Sequence, residues 1–142
     1  MKVNFQLVDN YAISFEGRHI DVHNNFNFLG FEYKVETQTL ILKWIKSAGD
    51  WVNSDELPQF ALIHFEVNYL NITPRNPLSQ TSEDTCLSDI TFFPSSDRIT
   101  NDSIIGQSMP HNKDDILYLF QNDQVIRVNC KEIRFIIGTE EI

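Results

Sequence analysis

Apolar and polar residues alternate with a period of two along most of the chain, the signature of strands, whose successive side chains point to opposite faces of a sheet. Val3, Phe5 and Leu7 form one such set and Tyr11, Ile13 and Phe15 the next, joined by a three-residue loop at Val8-Asp9-Asn10. Gly17-Arg18 suits a two-residue hairpin turn, which places Phe15 opposite Ile20, Ile13 opposite Val22 and Glu16 opposite His19. A three-strand meander over residues 3 to 23 is expected.

Phe26 and Phe28 alternate on even positions, Phe31, Tyr33 and Val35 on odd ones, so a bulge near Gly30 is needed to restore the inward face. Leu40 to Ile45 follows as a strand, with Leu40, Leu42 and Trp44 on one face. Ala61, Ile63, Phe65, Val67 and Tyr69 alternate with His64, Glu66 and Asn68, which predicts a half-buried strand with His64 outward. Ile116 to Phe120 is apolar on both faces and should be a central strand covered on each side. Ile126, Val128 and Cys130 point inward. Ile133, Phe135 and Ile137 follow at changed parity, so the chain must turn or bulge at Lys131-Glu132.

Residues 71–115 hold four of the five prolines. Their anchors, such as Leu87, Ile90 and Phe92, predict an ordered segment packed on the body, with a short helix from Ser82 to Ile90. The expected fold is therefore all-β: a single domain over 1–142, an antiparallel β-sandwich or strongly bent sheet of about 8–10 strands. Its 42% hydrophobic content and 11 phenylalanines suit a packed sheet protein.

Charge changes the picture. Twenty acidic residues against 11 basic ones give a net charge of −9, which repels the phosphates of nucleic acid and of anionic membranes. Neither is an expected partner. Eight of the acids and only two bases lie between Glu83 and Asp123. No apolar stretch approaches the roughly 20 residues of a membrane helix, and residues 1–9 alternate instead of forming a signal-peptide block, so a cytoplasmic protein is expected.

The candidate chemistry is sparse. Glu16, His19, Asp21 and His23 would project from one wet strand face and could hold zinc or a non-haem metal; the same residue types are ordinary on such a face. Cys86 has acidic neighbours, which raise a thiol's pKa and oppose nucleophilic use. No phosphate-cradling, dinucleotide or nucleophile-elbow motif occurs, and no cofactor is expected. An acidic surface of Glu83, Asp84, Asp89, Asp97, Asp102, Asp114 and Asp115 points instead to a basic protein partner, because complementary charge speeds encounter and selects partners.

The leading expectation is a non-catalytic protein-binding module, of the kind exemplified by small acidic immunity proteins. A metal-dependent enzyme or sensor on the Glu16/His19/Asp21/His23 face is the first rival. A small-molecule or carbohydrate binder using Trp44 or Trp51 is the second. The sequence leaves monomer and homodimer open.

Overall fold

The computed structural model describes residues 1–138. Its first sheet is a meander of β2 (Gln6–Val8), β3 (Ala12–Phe15) and β4 (Arg18–Asp21), followed by a single helical turn, α1 (Val22–Asn25). A five-stranded sheet runs in the order β1 (Lys2–Val3), β12 (Glu132–Ile137), β7 (Gln59–Phe65), β6 (Thr39–Lys46) and β5 (Phe26–Lys34). The third, four-stranded sheet has the order β8 (Tyr69–Ile72), β11 (Val125–Asn129), β10 (Asp114–Phe120) and β9 (Leu87–Pro94). All neighbours are antiparallel except β1 and β12. The all-β sandwich expectation holds, with twelve strands among the described residues. No helix among them is long and apolar enough to cross a membrane.

All three sheets contribute to one main core: Leu7, Ile13 and Ile20 from the meander, Leu42 and Phe135 from the five-stranded sheet, Ile116 and Val128 from the four-stranded one. Each such side chain, fully buried, contributes roughly 1.5–3 kcal/mol. Aromatic rings form its centre, with Trp44 stacked on Phe60 at 5.2 Å and Phe60 on Phe135 at 4.9 Å between centroids.

The meander forms where expected, but its registers are shifted. Phe15 pairs with Arg18, Ser14 with His19 and Ile13 with Ile20, which makes Glu16-Gly17 the turn. Both turn residues have positive φ, 50° and 78°. That is the type I′ geometry, whose twist matches that of the flanking strands and which takes glycine second, not first. The preceding loop is Asp9-Asn10-Tyr11, with Leu7 opposite Ile13, and both apolar sets still share one side. After Asp21 the strand stops, because the Asp21 carboxylate accepts from Asn24 N at 2.9 Å and caps α1. Val22 and His23 therefore leave the extended face assigned to them.

The bulge at Gly30 is present: the β5–β6 register slips between Phe28 and Gly30, which has φ 124°. Phe31 and Tyr33 regain the face of Leu42 and Leu40. Strand β7 corrects the expected facing. Phe60, Leu62 and His64 pair with Trp44, Leu42 and Leu40 and are buried, while Ile63 and Phe65 lie half-buried on the outer face. Apolar residues occupy both parities of this strand, so pairing with β6 decides which set enters the core. The strand also ends at Phe65, and Glu66 turns the chain with φ 52°.

Strand β10 is central and covered on both faces, as its pattern requires. Ile116, Tyr118 and Phe120 enter the main core; Leu117 joins Phe93 and Val125 in a second cluster under Ile105. The chain then crosses from the four-stranded to the five-stranded sheet at Cys130-Lys131, which accounts for the change of parity there. Within residues 71–115 the expected helix is only a 3-10 turn, Thr81–Thr85, and Leu87–Pro94 is strand instead. Ile90 and Phe92 face the main core and Phe93 the second cluster, an alternation that one helix face could not satisfy.

Candidate functional site

The outer face of the four-stranded sheet carries a group of charged side chains that is largely consumed internally. Arg127 is 1% exposed. It donates to Asp115 at 2.7 Å, to the carbonyls of Thr100, Pro94 and Asp97, and to Asn101 Oδ1. Asp115, fully buried, also accepts from Arg98 on both oxygens at 3.0 Å and from Asn129 at 2.8 Å. Burial alone would push the Asp115 carboxyl up, but the hydrogen bonds from Arg98, Arg127 and Asn129 outweigh it and hold it below the usual range. Arg98 in turn lies 3.6 Å over the Tyr69 ring. This network ties residues 94–101 to β10 and β11.

Several of the seven expected docking acids are therefore not available to a partner. Asp114 is 4% exposed and accepts from Gln107 at 2.7 Å and His111 N at 2.8 Å. With Asp115 it is corrected from surface to interior, since each carboxylate is enclosed and already satisfied by donors. Asp84 accepts from Arg75 and Asn122, both at 2.8 Å, and these bonds lower its pKa. Asp97 is exposed, yet its carboxylate accepts from Thr100 N, which lowers its pKa in the same way.

Of the seven, Asp89 and Asp102 lie on a smaller rim, joined by Asp123, which is outside the expected set. Asp89, Asp102 and Asp123 line a depression of about 380 Å³, floored by Leu119 and Val125, with no Lys or Arg in its lining. Strand β9 positions Asp89, the loop after it Asp102, and the β10–β11 turn Asp123, which has φ 69°. Asp89 accepts from the Ser88 hydroxyl and Asp123 from Asn76, both at 3.0 Å, and each keeps an oxygen for a further donor. Glu83 lies on the 3-10 turn.

The four candidate metal ligands are separated. Glu16 sits in the hairpin turn, and Ser14 takes the place opposite His19 that was assigned to it. His19 is exposed beside the Tyr11 ring, Asp21 caps α1, and His23 donates from Nδ1 to the Leu87 carbonyl at 2.7 Å. Among the described residues no group of three or more His, Cys, Asp or Glu side chains is placed to hold a metal ion. Cys86 Sγ lies 3.8 Å from His23 Nδ1, but burial, and then the charge of Glu83, raise the thiol pKa. That opposes the thiolate a nucleophile requires.

Two polar groups escaped sequence reasoning. His64 is fully buried: Nδ1 donates to the Leu40 carbonyl at 3.0 Å, which leaves Nε2 to accept from Tyr118 Oη at 2.7 Å. Desolvation lowers its pKa to about 4, so the ring is neutral at pH 7. The apolar residues at both parities of β7 were the available hint. Arg127, flanked by inward Ile126 and Val128, had none. Trp44 is sealed in the core, with no partner for its indole N–H among the described residues. Trp51 is 69% exposed and donates to the Asn24 carbonyl, so the two tryptophans share no cleft.

No family model, curated protein or solved structure matches the chain.

Proposed function

We propose that this protein is a non-catalytic binding module that engages a basic protein partner, in the manner of an immunity protein, through Asp89, Asp102 and Asp123 with Glu83 alongside. The observation that carries the reading is the depression itself, which three acidic residues line with no Lys or Arg among them. Its walls are held in place beforehand, because Arg127 and Asp115 fasten the adjoining segment to the sheet and little ordering remains to be done on binding. The groups most suited to chemistry argue the same way: His64 is neutral and enclosed, and the Cys86 thiol is biased towards its protonated form. A cytoplasmic location goes with this proposal, and two free cysteines are compatible with it.

The test is affinity capture from the source cell at low and high ionic strength, with the wild type beside an Asp89→Lys/Asp102→Lys/Asp123→Lys variant. The expected result is a saturable complex that weakens with salt and is lost in the variant. Absence of any saturable partner, or a complex indifferent to the three substitutions, would overturn the reading.

A further inference from the structure

Strand β5 is the outermost strand of the five-stranded sheet and nine residues long. Residues 28–34 make no backbone hydrogen bond except to β6 among the described residues. Two other flanks are guarded. Ile90 of β9 exchanges hydrogen bonds with Asn10, through its N–H to the Asn10 carbonyl at 2.8 Å and its carbonyl from Asn10 Nδ2 at 3.1 Å. On the far side of the five-stranded sheet, β12 is covered by β1 and by Asn4, whose side chain bonds both backbone groups of Phe135. Along β5 and just past it, Leu29, Phe31 and Val35 are instead 56%, 47% and 76% exposed. A long, apolar edge of this kind is a template for another strand.

The residues along the edge identify that strand. An antiparallel pair related by a twofold axis perpendicular to the sheet sets each residue opposite its mirror position about the axis. An axis at Glu32 places Glu32 against itself, one at Lys34 places Lys34 against itself, and both are repulsive. An axis at Phe31 drives Lys34 against Phe28, across the bulge. An axis at Tyr33 sets Glu32 opposite Lys34 twice on the outer face, and Phe31 opposite Val35 twice with Tyr33 against Tyr33 on the other. Opposite charges and apolar cross-strand pairs then coincide in one register.

We propose that β5 pairs with β5 of a second copy of this chain about a twofold axis at Tyr33, which joins two five-stranded sheets into one and encloses Phe31 and Val35.

Sedimentation equilibrium over a range of protein concentrations tests this, with circular dichroism to confirm folding. The wild type should be a concentration-dependent dimer. Glu32→Lys, which replaces both attractive pairs by repulsive ones, should raise the dissociation constant by about tenfold or more, and Val35→Lys should weaken the dimer independently. Glu32→Lys/Lys34→Glu restores opposite charges with exchanged positions and should return the constant to within about threefold of wild type. A monomeric wild type, a dimer unaffected by Glu32→Lys and Val35→Lys, or a charge exchange that fails to restore association would each overturn the proposal.

Discussion

The four-stranded and five-stranded sheets each have a second face that the main core does not use, and they treat it in opposite ways. Residues 94–105 roof the four-stranded sheet, with Ile105 over Leu117 and Phe93 and a buried Arg127–Asp115 pair fastening the roof from below. The outer face of the five-stranded sheet is unevenly exposed, with Ile41 and Ala61 buried and Ile63 and Phe65 half-buried. Ile45 stands 40% exposed there, and Arg134 lies 5.0 Å over the Phe65 ring while pairing with Glu132 at 2.9 Å. Charge works as an internal fastener in the first case and as a wet cover for apolar floor in the second. Charge read along the chain therefore overstates the acidic surface of the one sheet, because part of that charge never reaches solvent.

The sharpest way to break this contrast is to remove one arginine from each face. Arg127→Met should cost about 3–5 kcal/mol in urea unfolding, because buried Asp115 loses one of its two arginines and the carbonyls of Pro94, Asp97 and Thr100 lose their donor. Amide exchange should accelerate over residues 94–105 before it does in β6 and β7. Arg134→Met should leave the unfolding midpoint where it is, since its pair with Glu132 is solvent-exposed. Equal losses from the two variants would abolish the distinction.

Acid separates the two kinds of buried group next. The folded-state pKa of His64 is about 4 against 6.5 in the unfolded chain, so between those values only the unfolded chain binds the proton. Stability should fall by about 3 kcal/mol as pH drops from about 6.5 to about 4, at up to about 1.4 kcal/mol per pH unit. Asp115 has a lowered pKa, so its contribution is intact above the ordinary carboxylate value near 3.8 and is lost only as pH falls further. Urea unfolding between pH 7 and 4.5 should therefore report His64 alone of these two. His64→Phe/Tyr118→Phe, which removes both members of the pair, should flatten that window at a smaller cost than either single substitution. A window unchanged in the double variant would remove His64 as its cause.

The smallest effect belongs to the exposed part of the five-stranded sheet's outer face. Ile45→Thr should alter stability by less than about 0.5 kcal/mol, whereas Leu117→Ala, under the roof, should cost about 2–5 kcal/mol. Thermal unfolding of the two variants side by side checks the ratio.

Those contrasts mark how far the sequence was legible. Wherever apolar residues settled a face by themselves, the expectation matched: β10 is covered on both sides, Gly30 marks the bulge, and Leu40, Leu42 and Trp44 enter the core together. Strand β7 failed because Phe60 and Leu62 compete with Ile63 and Phe65, and only the register with β6 chooses. The hairpin failed because Glu16-Gly17 and Gly17-Arg18 both keep Ile13 and Ile20 on one side and both are favoured two-residue turns, so the local pattern does not choose between them. The candidate site was less legible still. Asp114 and Asp115 look like their exposed acidic neighbours, and the donors that enclose them, Arg127 above all, come from elements whose approach no local pattern encodes.

One pairing has a consequence for how the molecule is made. Strand β1 lies parallel to β12, and Asn4 clasps Phe135 from 131 positions away. β1 and Asn4 must wait for β12 to leave the ribosome before their partner exists, and contacts this distant in the chain slow assembly. Until then β7, the inner neighbour of β12, has an open flank at which a nascent chain is exposed to misassociation.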